Sequence, residues 1–222
     1  MKIVAGVYTA RPDPKFWPMF LRFYVKNEKR FNMGFAHVHG RPTAEAQKEV
    51  VYMAQLVKAT HLLFVEDDAT YVPNDILEKL VEADKDVIAP HAYSRHYPYQ
   101  SMILAKRFTN MTISKGLPAG MKARGNLIPL NDKEGIVEAD LVHFNFTLVK
   151  MEVFNKISKP WFAYGEVGET DCWFCDKLLE AGIHPYGHMG IRLTHSNVDD
   201  HTKPFLLEMH GPKLLMEELD VS

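Results

Sequence analysis

The stretch His61-Leu-Leu-Phe-Val-Glu66-Asp67-Asp68-Ala-Thr-Tyr-Val-Pro73 decides how the rest of the chain reads. Its opening, His61 to Val65, is short and apolar, the pattern of a strand buried on both faces at the centre of a parallel sheet. Three acids follow without a break. Side by side they repel one another, which is costly unless a cation or water screens them. In extended backbone Glu66 and Asp68 point the same way, and two carboxylates so placed suit one hard divalent cation. The plainer alternative is a solvated acidic turn that caps the next helix. The position directly behind a buried strand favours the chemical reading.

Outward from this stretch, strands and helices alternate. Ile3–Tyr8 reads as a strand, Lys15–Lys29 as a helix, Met33–Val38 as a strand, and Ala44–Lys58 as a helix with Thr43 as its cap. After the acids, Pro73 and Asn74 open a helix over Asp75–Ala83, and Asp86–Ala89 is the next strand. This order predicts a doubly wound, Rossmann-like α/β fold with a mostly parallel central sheet and helices on both faces. Ligands of such sheets bind beyond the carboxyl ends of the strands. The loops Tyr8–Asp13, His39–Pro42 and Glu66–Thr70 occupy those ends. The middle, Tyr93–Gly135, reads as short strands and loops. Regular elements return at Ile136–Leu141, Phe146–Val149, Met151–Ile157 and Glu169–Ala181, the last closed by Gly182 as a C-cap. Ile191–His195 reads as a last strand and Phe205–Leu219 as a terminal helix.

Composition narrows the function. The chain has 222 residues, 24% of them charged and 46% hydrophobic, with a net charge of -2. That balance leaves no electrostatic footprint for wrapping a nucleic acid, so no stable nucleic-acid binding is expected. No apolar run approaches the roughly 20 residues of a transmembrane helix. Met1–Ala10 resembles a signal peptide only superficially: Tyr8 and Thr9 interrupt it and Arg11-Pro12-Asp13-Pro14 follows, so it reads as the first buried strand. Cys172 and Cys175 sit three apart in a helical pattern, unsuited to a disulfide, and point to a reducing, cytoplasmic location.

The segment LLFVEDDATYVPNDILEKLVEADKDVIAP resembles the core of GT-A glycosyltransferases, in particular the large inverting family with a DxD-type motif that includes many bacterial and phage enzymes. Two further blocks, EADLVHFNFTLVKMEVFNKISKPWF and GETDCWFCDKLLEAGIHPYGHMGIRLTH, resemble that family's later segments and occur in the same order. The resemblance implies one GT-A domain over residues 1–222, with a nucleotide-binding half over 1–92 and an acceptor-side half over 93–222. It implies a nucleoside diphosphate sugar, UDP- or GDP-linked, as donor, with Mn²⁺ or Mg²⁺ as cofactor and a hydroxyl-bearing acceptor, a glycan or another molecule. The metal would fall to Asp68 and His195, with Glu66 beside them. Asp171 is then the general base, with Glu169 as the alternative. Thr170-Asp171 departs from the family's usual Glu-Asp, and of its Ala-Arg-Asn signature only Arg41 remains.

The resemblance also places the donor's base and ribose near Tyr8, Thr9 and Arg11. Arg41 and Arg95 are cations within reach of a diphosphate, and Asp67 belongs to the same acidic group. His37 and His39 share one strand face and read as structural; His143 and His188 are further acceptor-side candidates. A nucleotidyltransferase is the main alternative enzyme, but its glycine-rich triphosphate loop has no counterpart in Thr9-Ala10-Arg11-Pro12-Asp13. A haloacid dehalogenase-type phosphatase needs its aspartate after the first strand. A non-catalytic nucleotide-sugar-binding relative is the third reading.

Overall fold

A computed structural model describes residues 1–93, 101–106, 127–131, 133–164 and 170–195. Its strands are β1 (Ile3–Thr9), β2 (Met33–His39), β3 (His61–Glu66), β4 (Ala69–Tyr71), β5 (Val87–Ala92), β6 (Leu104–Lys106), β7 (Leu127–Pro129), β8 (Ile136–Glu138), β9 (Thr147–Lys150) and β10 (Tyr186–His195). The helices are α1 (Phe16–Asn27), α2 (Thr43–Leu56), α3 (Ile76–Glu82), α4 (Val153–Lys156) and α5 (Thr170–Glu180). Eight strands form one sheet in the order β2-β1-β3-β9-β5-β10-β4, with β8 also on β10; β6 and β7 make a separate ribbon. Strands β2, β1, β3, β5 and β10 run one way, whereas β9, β4 and β8 run the other.

The sheet is buried on both faces, as the apolar β3 requires. On one side α1 lays down Phe16, Phe20 and Phe23, spaced for a single helical stripe, over Ile3, Ala5, Val7, Leu63 and Val65, and α3 adds Ile76, Leu77 and Leu80. On the other side α2 and α5 pack through Ala46, Val50, Ala54, Phe174 and Leu178 onto Val4, Leu62 and Phe64. Helices therefore cover both faces. The approach of α2 to β1 depends on Gly6: a Cβ there would lie 2.8 Å from Val50 Cγ2 and 3.1 Å from Leu62 Cδ1. Among the described residues no helix is long and apolar enough to cross a membrane.

Several elements differ from the sequence reading. Thr43 is the first residue of α2, not its cap; the N-cap is Pro42, whose C=O accepts from Glu45 and Ala46 N–H. Gly182 closes α5 as expected, at φ 72°, with the paired C-terminal bonds Ile183 N–H to Leu178 O (2.9 Å) and Gly182 N–H to Leu179 O (3.0 Å). Strand β10 begins five residues earlier than Ile191. Strand β4 was not anticipated, because three residues carry no period. It leaves the acidic stretch and pairs Ala69 with His195 and Tyr71 with Thr194, so the chain crosses the carboxyl edge of the sheet immediately after Asp68. The expected terminal helix lies outside the described residues.

One core group predicts a pH response. His91, on β5, is 2% exposed, its Nε2 has no hydrogen-bond partner, and it meets Tyr93 edge-on at 4.6 Å. Burial first, then the positive charge of Arg192, pushes its imidazolium down from 6.5 to about 4. As pH falls through 6.5 the unfolded chain takes a proton that the folded chain refuses until about pH 4. Stability is therefore lost across that window, by about 3 kcal/mol from this residue. Urea unfolding between pH 7.5 and 4 should show the loss, and His91→Phe should flatten it.

Candidate active site

Each acid of the triplet has its own partner. Glu66 ends β3 in register with Tyr8 of β1 and accepts the Tyr8 hydroxyl at 3.1 Å. Gln47 Nε2, from α2, donates to the same Tyr8 oxygen at 3.3 Å. Burial, then the charge of Glu66, raises the Tyr8 hydroxyl well above its ordinary range, so it stays protonated and donates. The negative charge of Asp171 also contributes to that rise, which brings the first turn of α5 into the same electrostatic neighbourhood as β1 and β3.

Asp67 turns to the β1–α1 loop. Its Oδ2 accepts the backbone N–H of Ala10 at 2.8 Å and of Arg11 at 3.1 Å, and its carbonyl accepts Asp13 N–H at 3.1 Å. The carboxylate thereby fixes the shape of the loop at the carboxyl end of β1. Asp68 is 9% exposed and accepts Asn145 Nδ2 at 2.8 Å through Oδ1. Asp171, half-buried, accepts Cys172 N–H at 2.7 Å, an acid held at a helix start where the dipole favours it.

Thr9, next to Tyr8, is buried and sits between two imidazoles: its Oγ1 is 2.9 Å from His37 Nε2 and 3.0 Å from His39 Nδ1. The rings share one face of β2, as alternation along a strand requires. Burial, then the neighbouring His39, holds the His37 imidazolium below its usual range. Gly40, at φ 67°, donates its N–H to Thr9 O at 3.0 Å and ties the β2 exit to that of β1. Arg11 and Arg41 are exposed on these two loops.

The fold thus gathers Tyr8, Thr9, Glu66, Asp67 and Asp68 at one end of the sheet, and the charge of Asp171 acts on Tyr8 there. The backbone of His195 reaches the same corner, opposite Ala69. Arg95 and Glu169 lie outside the described residues. Among the described residues no cluster of three or more His, Cys, Asp or Glu forms a closed metal cage. Glu66 and Asp68 offer carboxylate oxygens, the ligand type that hard cations take. An open cavity of ≈ 620 Å³ beside the β4–β10 ladder, lined by Tyr71, Pro73, Met189 and Arg192 among others, shares no residue with this corner.

Sequence reasoning passed over Gln47 and Asn145. Gln47 is one polar position on the buried face of α2, and only the tertiary fold shows that it meets Tyr8. Asn145 left a faint signal, a lone amide between Phe144 and Phe146 in an apolar run.

The role of Asp67 is testable apart from chemistry. Asp67→Ala leaves two N–H groups of the β1–α1 loop without their acceptor and should cost about 1 kcal/mol. A melting point lower by about 2–4 °C is the expected result for a chain of this size. Amide exchange at Ala10 and Arg11 should accelerate in the same variant.

No family model and no curated protein sequence matches the chain. Solved structures do. A197 from STIV superposes with a TM-score of 0.55 at 15% identity, covering 88% of this chain and 85% of that one. GalNAc-T7, in a crystal structure with UDP, GalNAc and Mn²⁺, superposes with a TM-score of 0.50 at 10% identity, over 88% of this chain and 43% of that one. At such identities the likeness is one of architecture. With its mostly parallel sheet, helices on both faces and acids at the carboxyl end of β3, the chain has a GT-A-like fold.

Proposed function

We propose that the protein is a metal-dependent glycosyltransferase that moves a sugar from a nucleoside diphosphate sugar to an acceptor hydroxyl with inversion. The observation that carries this reading is the meeting at one sheet edge of the carboxylates of Glu66 and Asp68 with the loop pinned by Asp67, the charge of Asp171 at the start of α5 being felt at Tyr8 beside them. The acids and the loop suit the diphosphate and nucleoside of a donor, and Asp171 suits an acceptor on the other side of the sugar.

In this mechanism Asp68 and Glu66, with His195, would hold Mn²⁺ or Mg²⁺, which would supply positive charge for the donor's diphosphate and the leaving group. Thr9, Arg11 and the Tyr8 loop form the wall for the nucleoside. Tyr8 keeps Glu66 in place by donating its O–H. Arg41 and Arg95 add positive charge for the diphosphate. Asp171, or Glu169 in its place, takes the proton of the acceptor hydroxyl as that oxygen bonds to the anomeric carbon and the bond to the nucleoside diphosphate breaks. The neighbouring protein with UDP, GalNAc and Mn²⁺ bound supports a uridine donor as the first to test. Residues 1–92 then form the nucleotide-binding half and residues 93–222 the acceptor-side half, which also lends Arg95 and His195 to the donor. Cys172 and the buried Cys175, not joined in a disulfide, suit a reducing cytoplasm.

Calorimetric titration with UDP, GDP, CDP and dTDP, each with and without Mn²⁺, is the direct test. Manganese-dependent binding of one of them is expected; folded protein that binds none overturns the reading. With the matching sugar nucleotide, Asp171→Asn should lower kcat by about 10²–10⁴ while nucleotide affinity stays within a factor of a few. The anomeric configuration of the product, read by NMR, should be inverted.

A further inference from the structure

Asn145 is a buried amide that the reaction does not use. It sits in the turn ahead of β9, 0% exposed, between Phe144 and Phe146, and Phe146 adopts a left-handed φ of 57° that bulky side chains seldom take. A fully buried polar residue next to a strained backbone position and beside an acidic site needs a reason.

Its hydrogen bonds supply one. Nδ2 donates to Asp68 Oδ1 at 2.8 Å, whereas Oδ1 has no partner. The amide orientation follows from chemistry, since turning it over would set one oxygen against another. The backbone of Asn145 is fixed in turn. Its N–H donates to His143 Nδ1 at 3.1 Å, and His143 Nε2 lies 2.8 Å from Pro90 O. A carbonyl only accepts, so Nε2 carries the proton and Nδ1 is the acceptor. His143, 1% exposed, is therefore a neutral imidazole in one tautomer, clamped to the end of β5. Thr147 Oγ1 donates to the His143 carbonyl and closes the turn. A continuous buried chain runs from Pro90 through His143 and Asn145 to Asp68.

We infer that Asn145 is a positioning residue that holds the Asp68 carboxylate in its metal-binding orientation, with His143 fixing Asn145. This rests on the reading of Asp68 as a metal ligand. Groups that orient a ligand by hydrogen bonding typically change metal affinity 10–100-fold when removed. An amide suits the task where a carboxylate would not: it donates to Asp68 without adding a negative charge.

The test uses Mn²⁺ alone, titrated into the full chain and followed by the EPR signal of the free ion, so that no turnover is needed. Asn145→Leu keeps the volume and removes the donor; Asn145→Ser retains a shorter one. Loss of binding in Asp68→Asn, with affinity about 10–100-fold weaker in Asn145→Leu and an intermediate value in Asn145→Ser, supports the inference. Wild-type affinity in folded Asn145→Leu, with Asp68→Asn inactive in binding, overturns the role of Asn145 and leaves the metal reading standing. Equal binding by wild type and Asp68→Asn, or none by wild type, removes the metal reading and this inference with it. An NMR titration with Mg²⁺ covers the case in which the Leu variant does not fold. The Asn145 side-chain amide signals of the wild type should shift with the ion and those of Asp68→Asn should not; signals that stay fixed in the wild type count against the inference.

Discussion

Three consecutive carboxylates at the end of a buried strand cannot all face the same space without mutual repulsion, and that constraint organises this end of the molecule. The fold meets it by giving each acid a different donor. Glu66 receives the hydroxyl of Tyr8, Asp67 receives two backbone N–H groups of the β1–α1 loop, and Asp68 receives the amide of Asn145. The donors come from β1, from the loop that follows it and from the turn before β9. Positioning the acids therefore fixes how those three segments sit around the end of β3.

The rest of the architecture serves that arrangement. Gly6 lets α2 approach β1 closely enough for Gln47 to reach Tyr8. The antiparallel insertion of β9 between β3 and β5 carries the His143–Asn145 turn to Asp68. The crossing from Asp68 into β4 brings the acids to the end of β10, where His195 lies. Core packing and site geometry are thus the same set of contacts seen from two sides.

The histidines divide by environment and not by sequence pattern. His143 is buried, hydrogen-bonded at both ring nitrogens and neutral. His91 is equally buried, but its Nε2 is left without a partner, and burial holds it neutral. His37 and His39 meet across Thr9 at the strand ends. In the sequence His37 and His39 read as a structural pair and His143 as an acceptor-side candidate; only tertiary contacts show that His143 is held in the core by hydrogen bonds.

The sequence by itself determined the alternation of strands and helices, the buried character of β3, the acids at its carboxyl end and the glycine cap of α5. Each of these is a local matter, settled by period, run length or the conformational freedom of one residue. It also placed Glu66 and Asp68 together at a strand end, whereas the inclusion of Tyr8 and Asp171 came from the family resemblance. Only the tertiary structure decided that β9 runs antiparallel in the middle of the sheet, that β4 exists, and that Asp67 serves a loop while Asn145 serves Asp68. The last two depend on hydrogen bonds between residues 57 and 77 positions apart, and the strand pairings join residues still farther apart, which no local pattern records.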